Sequence, residues 1–175
     1  MKNLKINMGC YKVLPPNTYW VLPGRLLAGE YPGDEDPEEA SARLQKWLDL
    51  GVNYFIDLTE PGELEPYQHL IPESQNVTAT RFPIPDIGLP PKGQMIQILN
   101  EIDGAIQKGV IVYLHCRAGI GRTGTVVGCY FARHGYTGQK ALDELELVWD
   151  RCEKSAYAYS PETLEQCEYI INWEG

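Results

Sequence analysis

The sequence predicts an α/β fold in which helices flank a mainly parallel central sheet on both faces. Two apolar runs without alternation, at residues 52–58 and 110–114, are typical of buried parallel strands. Segments with helical periodicity and clear start and stop residues alternate with them. The length of 175 residues and the 43% hydrophobic content suffice for one packed domain. We therefore expect residues 1–175 to form a single domain, with an irregular segment over about residues 1–18.

The elements follow in a definite order. Residues 19–22 and 26–28 flank a Pro-Gly turn and predict a hairpin. Asp36 is suited to cap a helix, Pro37 to begin it and Gly51 to end it. Further strands are predicted at 52–58, 78–84 and 110–114, with a short helix near Tyr67–Leu70. Further helices are predicted over 92–108, 125–134, 139–151 and 161–173, the last one capped by Ser160.

Charge and composition exclude several classes of protein. The net charge of −9 and a pI near 4.8 argue against a general nucleic-acid binder, which needs a basic surface. No apolar run approaches the ~20 residues of a membrane span, and the first residues lack the apolar core of a secretion signal. Five scattered cysteines have no metal-type spacing with the three histidines. We expect a cytoplasmic protein with reduced thiols and no metal or other cofactor.

The segment 115–124, His-Cys-Arg-Ala-Gly-Ile-Gly-Arg-Thr-Gly, lies between the strongest strand and a helix. Its glycines allow the backbone to curl so that the amides bind an anion at the helix N-terminus. Arg122 adds a planar fork that matches two phosphate oxygens. These groups favour the thiolate of Cys116, and Thr123 can donate its hydroxyl to that sulfur. The alternative, a buried cysteine in a glycine-rich turn, is disfavoured by the extended pattern H-C-x-x-G-x-x-R-T-G.

This pattern resembles the active-site loop of the cysteine-dependent protein tyrosine phosphatase superfamily. The short chain is similar to the dual-specificity branch, and residues 82–90 and 160–166 are most similar to its kinase-associated phosphatase subgroup. The resemblance covers roughly residues 20–173. It implies a phosphorylated protein or peptide as the partner and a two-step hydrolysis through a phosphocysteine on Cys116.

The resemblance also implies roles for individual residues. Asp86, 30 residues before Cys116, is expected to be the general acid, although it is also suited to cap a turn before Gly88. The family often has Trp-Pro-Asp where this chain has Ile-Pro-Asp. Phosphate binding is expected from the loop residues Arg117, Ala118, Gly119, Ile120, Gly121 and Arg122.

Supporting residues remain open to two interpretations. His115 is expected to orient the loop by hydrogen bonds. Gln166 matches a glutamine that positions water in some relatives, whereas Glu162 replaces a second one and alternatively stabilises only a helix N-terminus. Asp57 and Glu60 end a buried strand, where they either brace Arg122 or the loop, or leave a plain turn at residues 60–62. Arg117 lies either at the pocket rim or in solvent.

The sequence leaves the substrate class open. A protein phosphatase acting on phosphotyrosine, with or without phosphoserine and phosphothreonine, is the first hypothesis. A phosphatase for a phosphoinositide, inositol phosphate or nucleotide is the alternative. Ile120 stands where lipid-directed relatives tend to carry a base, and the chain is acidic, which weakens that alternative. A non-catalytic phosphate-binding module is less consistent with the sequence, because such a module needs only the cradle.

Overall fold

Five strands form one sheet in the computed structural model, which describes residues 13–73 and 75–175. The order across the sheet is β1-β2-β5-β3-β4; the β1–β2 pair is antiparallel and the other three pairs are parallel. The mainly parallel sheet is therefore confirmed. Most of the predicted irregular segment, with Cys10, lies outside the described residues. The strands are β1 Thr18–Leu22, β2 Leu26–Gly29, β3 Val52–Asp57, β4 Thr78–Arg81 and β5 Ile111–His115.

Helices cover both faces of the sheet, as predicted. On one face, Leu44 and Trp47 of the first helix pack in a buried cluster with Phe55 and Tyr113. The other helices contribute to a larger apolar cluster on the opposite face. Burial on both faces explains why β3 and β5 are almost continuously apolar. The helices are α1 Pro37–Asp49, α2 Lys92–Gln107, α3 Gly121–Arg133, α4 Gln139–Trp149 and α5 Leu164–Ile171.

Local signals predicted the first helix and the hairpin correctly. The Asp36 carboxylate accepts the amides of Glu38 and Glu39 at 2.8 and 3.1 Å, so it caps α1 as expected. Strands β1 and β2 form the predicted hairpin. A short 3₁₀ helix spans Gln68–Leu70, within the predicted turn of helix.

The start of α3 and the end of β4 differ from the predictions. Helix α3 begins at Gly121, four residues before the predicted start, so Arg122 and Thr123 belong to its first turn. Strand β4 ends at Arg81 instead of Ile84. The amides of Phe82 and Ile84 still bond the carbonyls of Asp57 and Leu58, at 2.8 and 3.0 Å.

The last helix begins later than predicted. The Ser160 hydroxyl donates to the Ile120 carbonyl at 2.8 Å and therefore does not cap the helix. Thr163 caps α5 instead, in a reciprocal capping box with Gln166. The segment before α5 is thereby attached directly to the loop that follows β5.

Candidate active site

The loop between β5 and α3 holds Cys116 at the carboxyl end of the sheet, where parallel α/β folds bind ligands. The cysteine is buried, and the Gly119 amide donates to its Sγ at 3.3 Å. Gly119 has φ +75°, and a Cβ there would lie 2.7 Å from the Glu30 amide nitrogen. Both the backbone conformation and the close approach therefore require glycine at this position.

The Thr123 hydroxyl does not bind the sulfur, contrary to the prediction. It is buried and has no hydrogen-bond partner among the described residues. The sulfur instead receives the Gly119 amide, which the curled backbone directs toward it.

Arg122 is held by a glutamate that the sequence did not single out. Its Nη1 and Nη2 donate to Glu63 Oε2 and Oε1, both at 2.7 Å, and Nη1 also donates to the Ile84 carbonyl at 3.1 Å. The bond from Arg122 lowers the pKa of Glu63. Although burial disfavours its charge, Glu63 keeps the pKa of Arg122 above its usual value, so the guanidinium is always charged.

Residues 60–63 form a plain turn, which was one of the two interpretations of this segment. Glu60 makes a turn with Glu63, whose amide donates to the Glu60 carbonyl at 3.1 Å. The Glu60 amide in return donates to Glu63 Oε2 at 3.0 Å. Glu60 thus shapes the turn and Glu63 reaches the arginine. Glu60 was considered as a brace for Arg122, but Glu63 is the residue that bonds the arginine, and the sequence pattern did not distinguish it from the other glutamates of this segment.

Asp86, 30 positions before Cys116 in the sequence, lies beside Arg122. Its Oδ1 is 3.0 Å from Arg122 Nη2, and 59% of its side chain is exposed. The Gly88 amide donates to the Pro85 carbonyl at 2.8 Å, which gives the turn that was also expected here. The exposed carboxyl group can therefore face both the solvent and a ligand bound by Arg122.

His115 is buried beneath the loop. Its Nε2 lies 2.8 Å from the Tyr67 hydroxyl, and its Nδ1 lies 3.8 Å from Asp57 Oδ1. Burial lowers the pKa of His115 to about 4, so the imidazole is neutral at pH 7. A neutral, hydrogen-bonded ring is suited to orienting the loop.

Asp57 lies behind the loop and does not contact Arg122. Its carboxylate accepts from Arg81 Nη2 at 2.8 Å and from the Thr59 hydroxyl at 2.6 Å. Burial opposes ionisation, but these partners outweigh it and lower the pKa of Asp57. Asp57 was expected to brace either Arg122 or the loop. The structure places it near His115 of the loop, and Asp57 makes no contact with Arg122.

Gln166 and Glu162 lie against Gly121, the first residue of α3 after the Cys116 loop. The buried Gln166 accepts the amides of Glu162 and Thr163 at 3.0 and 3.2 Å and donates to the Gly88 carbonyl at 3.3 Å. A Cβ at Gly121 would lie 2.8 Å from Glu162 Oε2 and 3.1 Å from Gln166 Nε2. Gln166 thus ties the loop of Asp86 to α5, while the exposed Glu162 reaches the start of α3.

The remaining loop residues Arg117, Ala118 and Ile120 are exposed or half-buried. Arg117 is exposed and lines a cavity of about 860 Å³ beside the catalytic loop. Ile120 is half-buried, and its carbonyl is bound by Ser160. The Ala118 carbonyl accepts from Lys154 Nζ at 2.8 Å, a contact that the sequence pattern did not indicate.

The other described cysteines lie away from solvent to different degrees. Cys129 and Cys152 are buried, as expected, whereas Cys167 is half-buried. Over residues 13–73 and 75–175, no group of three or more metal-type side chains comes together. In the same ranges, no helix is both long and apolar enough to cross a bilayer.

Comparisons with known proteins agree with this geometry. The protein provisionally named tyrosine phosphatase 067L, from Invertebrate iridescent virus 3, is 34% identical over 117 residues. The match includes 62% of this chain and 42% of the viral protein, so the chain spans less than half the length of that relative.

Solved structures share the fold. The kinase-associated phosphatase KAP, with its catalytic-site cysteine replaced by serine, has a TM-score of 0.70 at 18% identity, covering 83% of both chains. PTPMT1 in complex with PI(5)P has a TM-score of 0.66 at 17% identity, covering 89% of this chain and 92% of PTPMT1. At these identities the likeness concerns the fold.

The family itself follows from a match over most of the sequence. A family model described as the Swiss Army Knife protein, DSP-PTPase phosphatase domain, matches residues 15–164. The matched range contains the loop 115–124, Asp86 and Glu63, and it confirms the resemblance to dual-specificity phosphatases. The chain therefore belongs to this family of phosphatase domains of the dual-specificity, protein tyrosine phosphatase type.

Proposed function

We propose that this phosphatase domain hydrolyses phosphorylated protein side chains, phosphotyrosine foremost, through a phosphocysteine on Cys116. One observation carries the proposal: a buried sulfur bonded by a loop amide lies at the start of α3, where Arg122 meets both Glu63 and Asp86. A site that only bound phosphate would need the amides and the arginine. It would have no use for a buried thiol and an exposed carboxyl group on the same guanidinium.

In the first step, the Cys116 thiolate attacks the phosphorus atom and the bond to the leaving oxygen breaks. Asp86 donates its proton to that oxygen, so the products are an alcohol or phenol and a phosphocysteine. The amides of the loop and Arg122 stabilise the charge on the three remaining phosphate oxygens. Glu63 supports this by holding two terminal nitrogens of Arg122 in a fixed plane.

In the second step, water attacks the phosphocysteine. The Asp86 carboxylate now takes a proton from the water, the phosphorus–sulfur bond breaks, and phosphate leaves with the thiolate restored. Glu162 and Gln166, which lie against Gly121, are the side chains we propose to orient this water. Gln166 has one further donor available for such a role, since an amide nitrogen carries two hydrogens and the Gly88 carbonyl takes one.

The surroundings of the catalytic loop favour a protein substrate over a polyanion. The cavity beside the loop is lined by more carboxylates than cations, and Ile120 offers no charge to a second phosphate. The carboxylates belong to Glu30, Asp34, Glu35, Glu63 and Glu65, and the cations to Arg43 and Arg117. Glu30, Asp34 and Glu63 are paired with cations, which leaves Glu35 and Glu65 beside Arg117. An inositol ring with several phosphates would therefore gain little here, whereas a peptide with lysine or arginine near its phosphorylated residue would be attracted.

The fold likeness to PTPMT1 with PI(5)P keeps phosphoinositides as the alternative to be tested. The test is a comparison of kcat/KM for four substrates: a phosphotyrosine peptide flanked by lysines, the same peptide flanked by glutamates, its phosphoserine counterpart, and a short-chain PI(5)P. We expect turnover of the lysine-flanked phosphotyrosine peptide about tenfold faster than the glutamate-flanked one, with the difference shrinking as salt is added. Faster turnover of PI(5)P than of any peptide would assign the domain to lipids instead.

Replacing Asp86 by asparagine tests the general acid. We expect the hydrolysis of phosphates with poor leaving groups to fall about 100-fold or more, because the leaving oxygen must depart without a proton. Esters of acidic phenols should lose much less, since their leaving oxygens need no proton. The measurement is kcat against the leaving-group pKa for both proteins.

A matched control is Asp143→Asn, which alters an exposed aspartate on α4 that accepts a bond from Gln139. It should leave all rates unchanged. A loss in the Asp86 variant that is equal for every leaving group would place the acid elsewhere.

A further inference from the structure

Lys154 reaches the back of the catalytic loop from a separate element. It lies on a short 3₁₀ helix, Glu153–Ala156, and only 13% of its side chain is exposed. Its Nζ donates to the Ala118 carbonyl at 2.8 Å and to Glu30 Oε2 at 2.9 Å. Lysine is seldom this buried unless its charge is paired, and the pairing here joins the loop to the residue that follows β2.

The peptide bound by Lys154 is the one that donates to the nucleophile. A trans peptide is planar and directs its carbonyl and its N–H to opposite sides. The Ala118 carbonyl points to Lys154, and the N–H of the same peptide, on Gly119, points to Cys116 Sγ at 3.3 Å. A cation on the carbonyl therefore fixes the direction of the N–H and polarises it toward the sulfur.

The backbone conformation of Gly119 gives this peptide an alternative orientation. Gly119 adopts φ +75°, a conformation in which glycine moves easily between neighbouring wells. If the peptide turned over, its carbonyl oxygen would face the sulfur and disfavour the thiolate. It would also remove an amide from the ring that binds phosphate. The contact with Lys154 stabilises one of the two orientations.

Glu30 is the second partner of the lysine. It accepts Lys154 on Oε2 and Arg43 on Oε1, at 2.9 and 3.1 Å, so its own position is fixed from the α1 side. The ion pair alone would be a structural feature, because Glu30 does not contact the sulfur or its amide. The bond to the Ala118 carbonyl is what connects Lys154 to the reacting group.

We propose that Lys154 is a positioning residue for the nucleophile, which acts by orienting the Ala118–Gly119 peptide so that its N–H stabilises the Cys116 thiolate. The inference rests on the proposed function for its kinetic consequence, but not for its effect on the thiol. It assigns a role to a residue that lies 38 positions after Cys116, outside the catalytic loop and the loop of Asp86.

The test compares wild-type protein with Lys154→Met, which keeps the length of the side chain and removes its charge and donors. We expect kcat/KM for an aryl phosphate to fall about 10- to 100-fold, as for one lost bond to a charged group, mainly through kcat. Alkylation of Cys116 by iodoacetamide, followed by peptide mass spectrometry, should become slower at neutral pH and require higher pH. Lys154→Arg, which keeps the charge, should recover most of the kcat/KM and most of the alkylation rate at neutral pH.

Two controls separate positioning from stability. Glu30→Gln removes the ion pair but leaves the bond to Ala118, so its alkylation profile should stay close to that of wild type. Lys92→Met removes a lysine that bonds a backbone carbonyl far from the loop, that of Glu174, and should change neither readout. Thermal unfolding of each variant shows whether it is folded at the assay temperature.

The outcomes are distinct. An unchanged alkylation profile in Lys154→Met, or an equal shift in Glu30→Gln, would overturn the proposal. If Lys154→Met does not fold, Lys154→Gln replaces it, and a profile identical with wild type would show that the charge has no role. If wild-type protein lacks phosphatase turnover, the proposed function fails, but the alkylation profiles still decide whether Lys154 orients the peptide.

Discussion

Replacing Cys116 by serine is expected to lower aryl phosphate turnover by about 10⁴-fold or more while phosphate binding is retained. A serine hydroxyl is a far weaker nucleophile than a thiolate at neutral pH, and no described side chain is placed to remove its proton. The groups proposed to bind the anion, the loop amides and Arg122, are not changed by the substitution. Steady-state kinetics and calorimetric titration with inorganic phosphate measure the two quantities separately.

Cys167→Ser is the matched control, because this half-buried thiol lies on α5 away from the loop. Its turnover should equal that of wild type. Acid-quenched wild-type protein should carry a phosphate on Cys116 in mass spectrometry, and the Cys116→Ser protein should not. Near-normal turnover in Cys116→Ser would mean that water attacks the substrate directly and that no covalent intermediate forms.

The parts of this site that the sequence predicted are those set by neighbouring residues. The loop 115–124 could be recognised because its amides, its cysteine and its arginine all come from one turn between a strand and a helix. The start of α1 was predictable for the same reason, since Asp36 bonds amides only two and three residues ahead. In both cases the physical partners lie within a few positions of one another.

The parts that it missed depend on contacts between distant segments. Glu63 lies 59 positions before Arg122, and Lys154 lies 36 positions after Ala118. No local pattern distinguishes Glu63 from the glutamates near it. The start of α5 was misplaced in the same way, because the Ser160 hydroxyl bonds a carbonyl 40 positions away in preference to the helix.

These distant contacts have a common electrostatic effect. The Arg122 side chain is only 2% exposed, and burying its charge would be unfavourable if the guanidinium were unpaired. Glu63 offsets this cost with two short hydrogen bonds. Asp86, at 3.0 Å from Nη2, is more exposed and can move without losing its solvation. We infer that a bound phosphate takes over this nitrogen from Asp86 while Glu63 keeps its hold. The arginine would then supply both charge and direction at the phosphorus.

Replacing Arg122 by lysine separates those two contributions. If charge alone mattered, lysine would retain most of the activity. We expect kcat/KM to fall by about 10³-fold instead, because lysine lacks the planar fork and each lost donor to a transition-state oxygen costs about 10²–10³-fold. Arg133→Lys, on the same helix and paired with Asp103 on α2, is the matched control and should retain wild-type kinetics. Thermal unfolding establishes that both variants are folded. An Arg122→Lys protein within threefold of wild type would mean that the fork geometry is dispensable, and the role assigned here to Glu63 as its holder would fall with it.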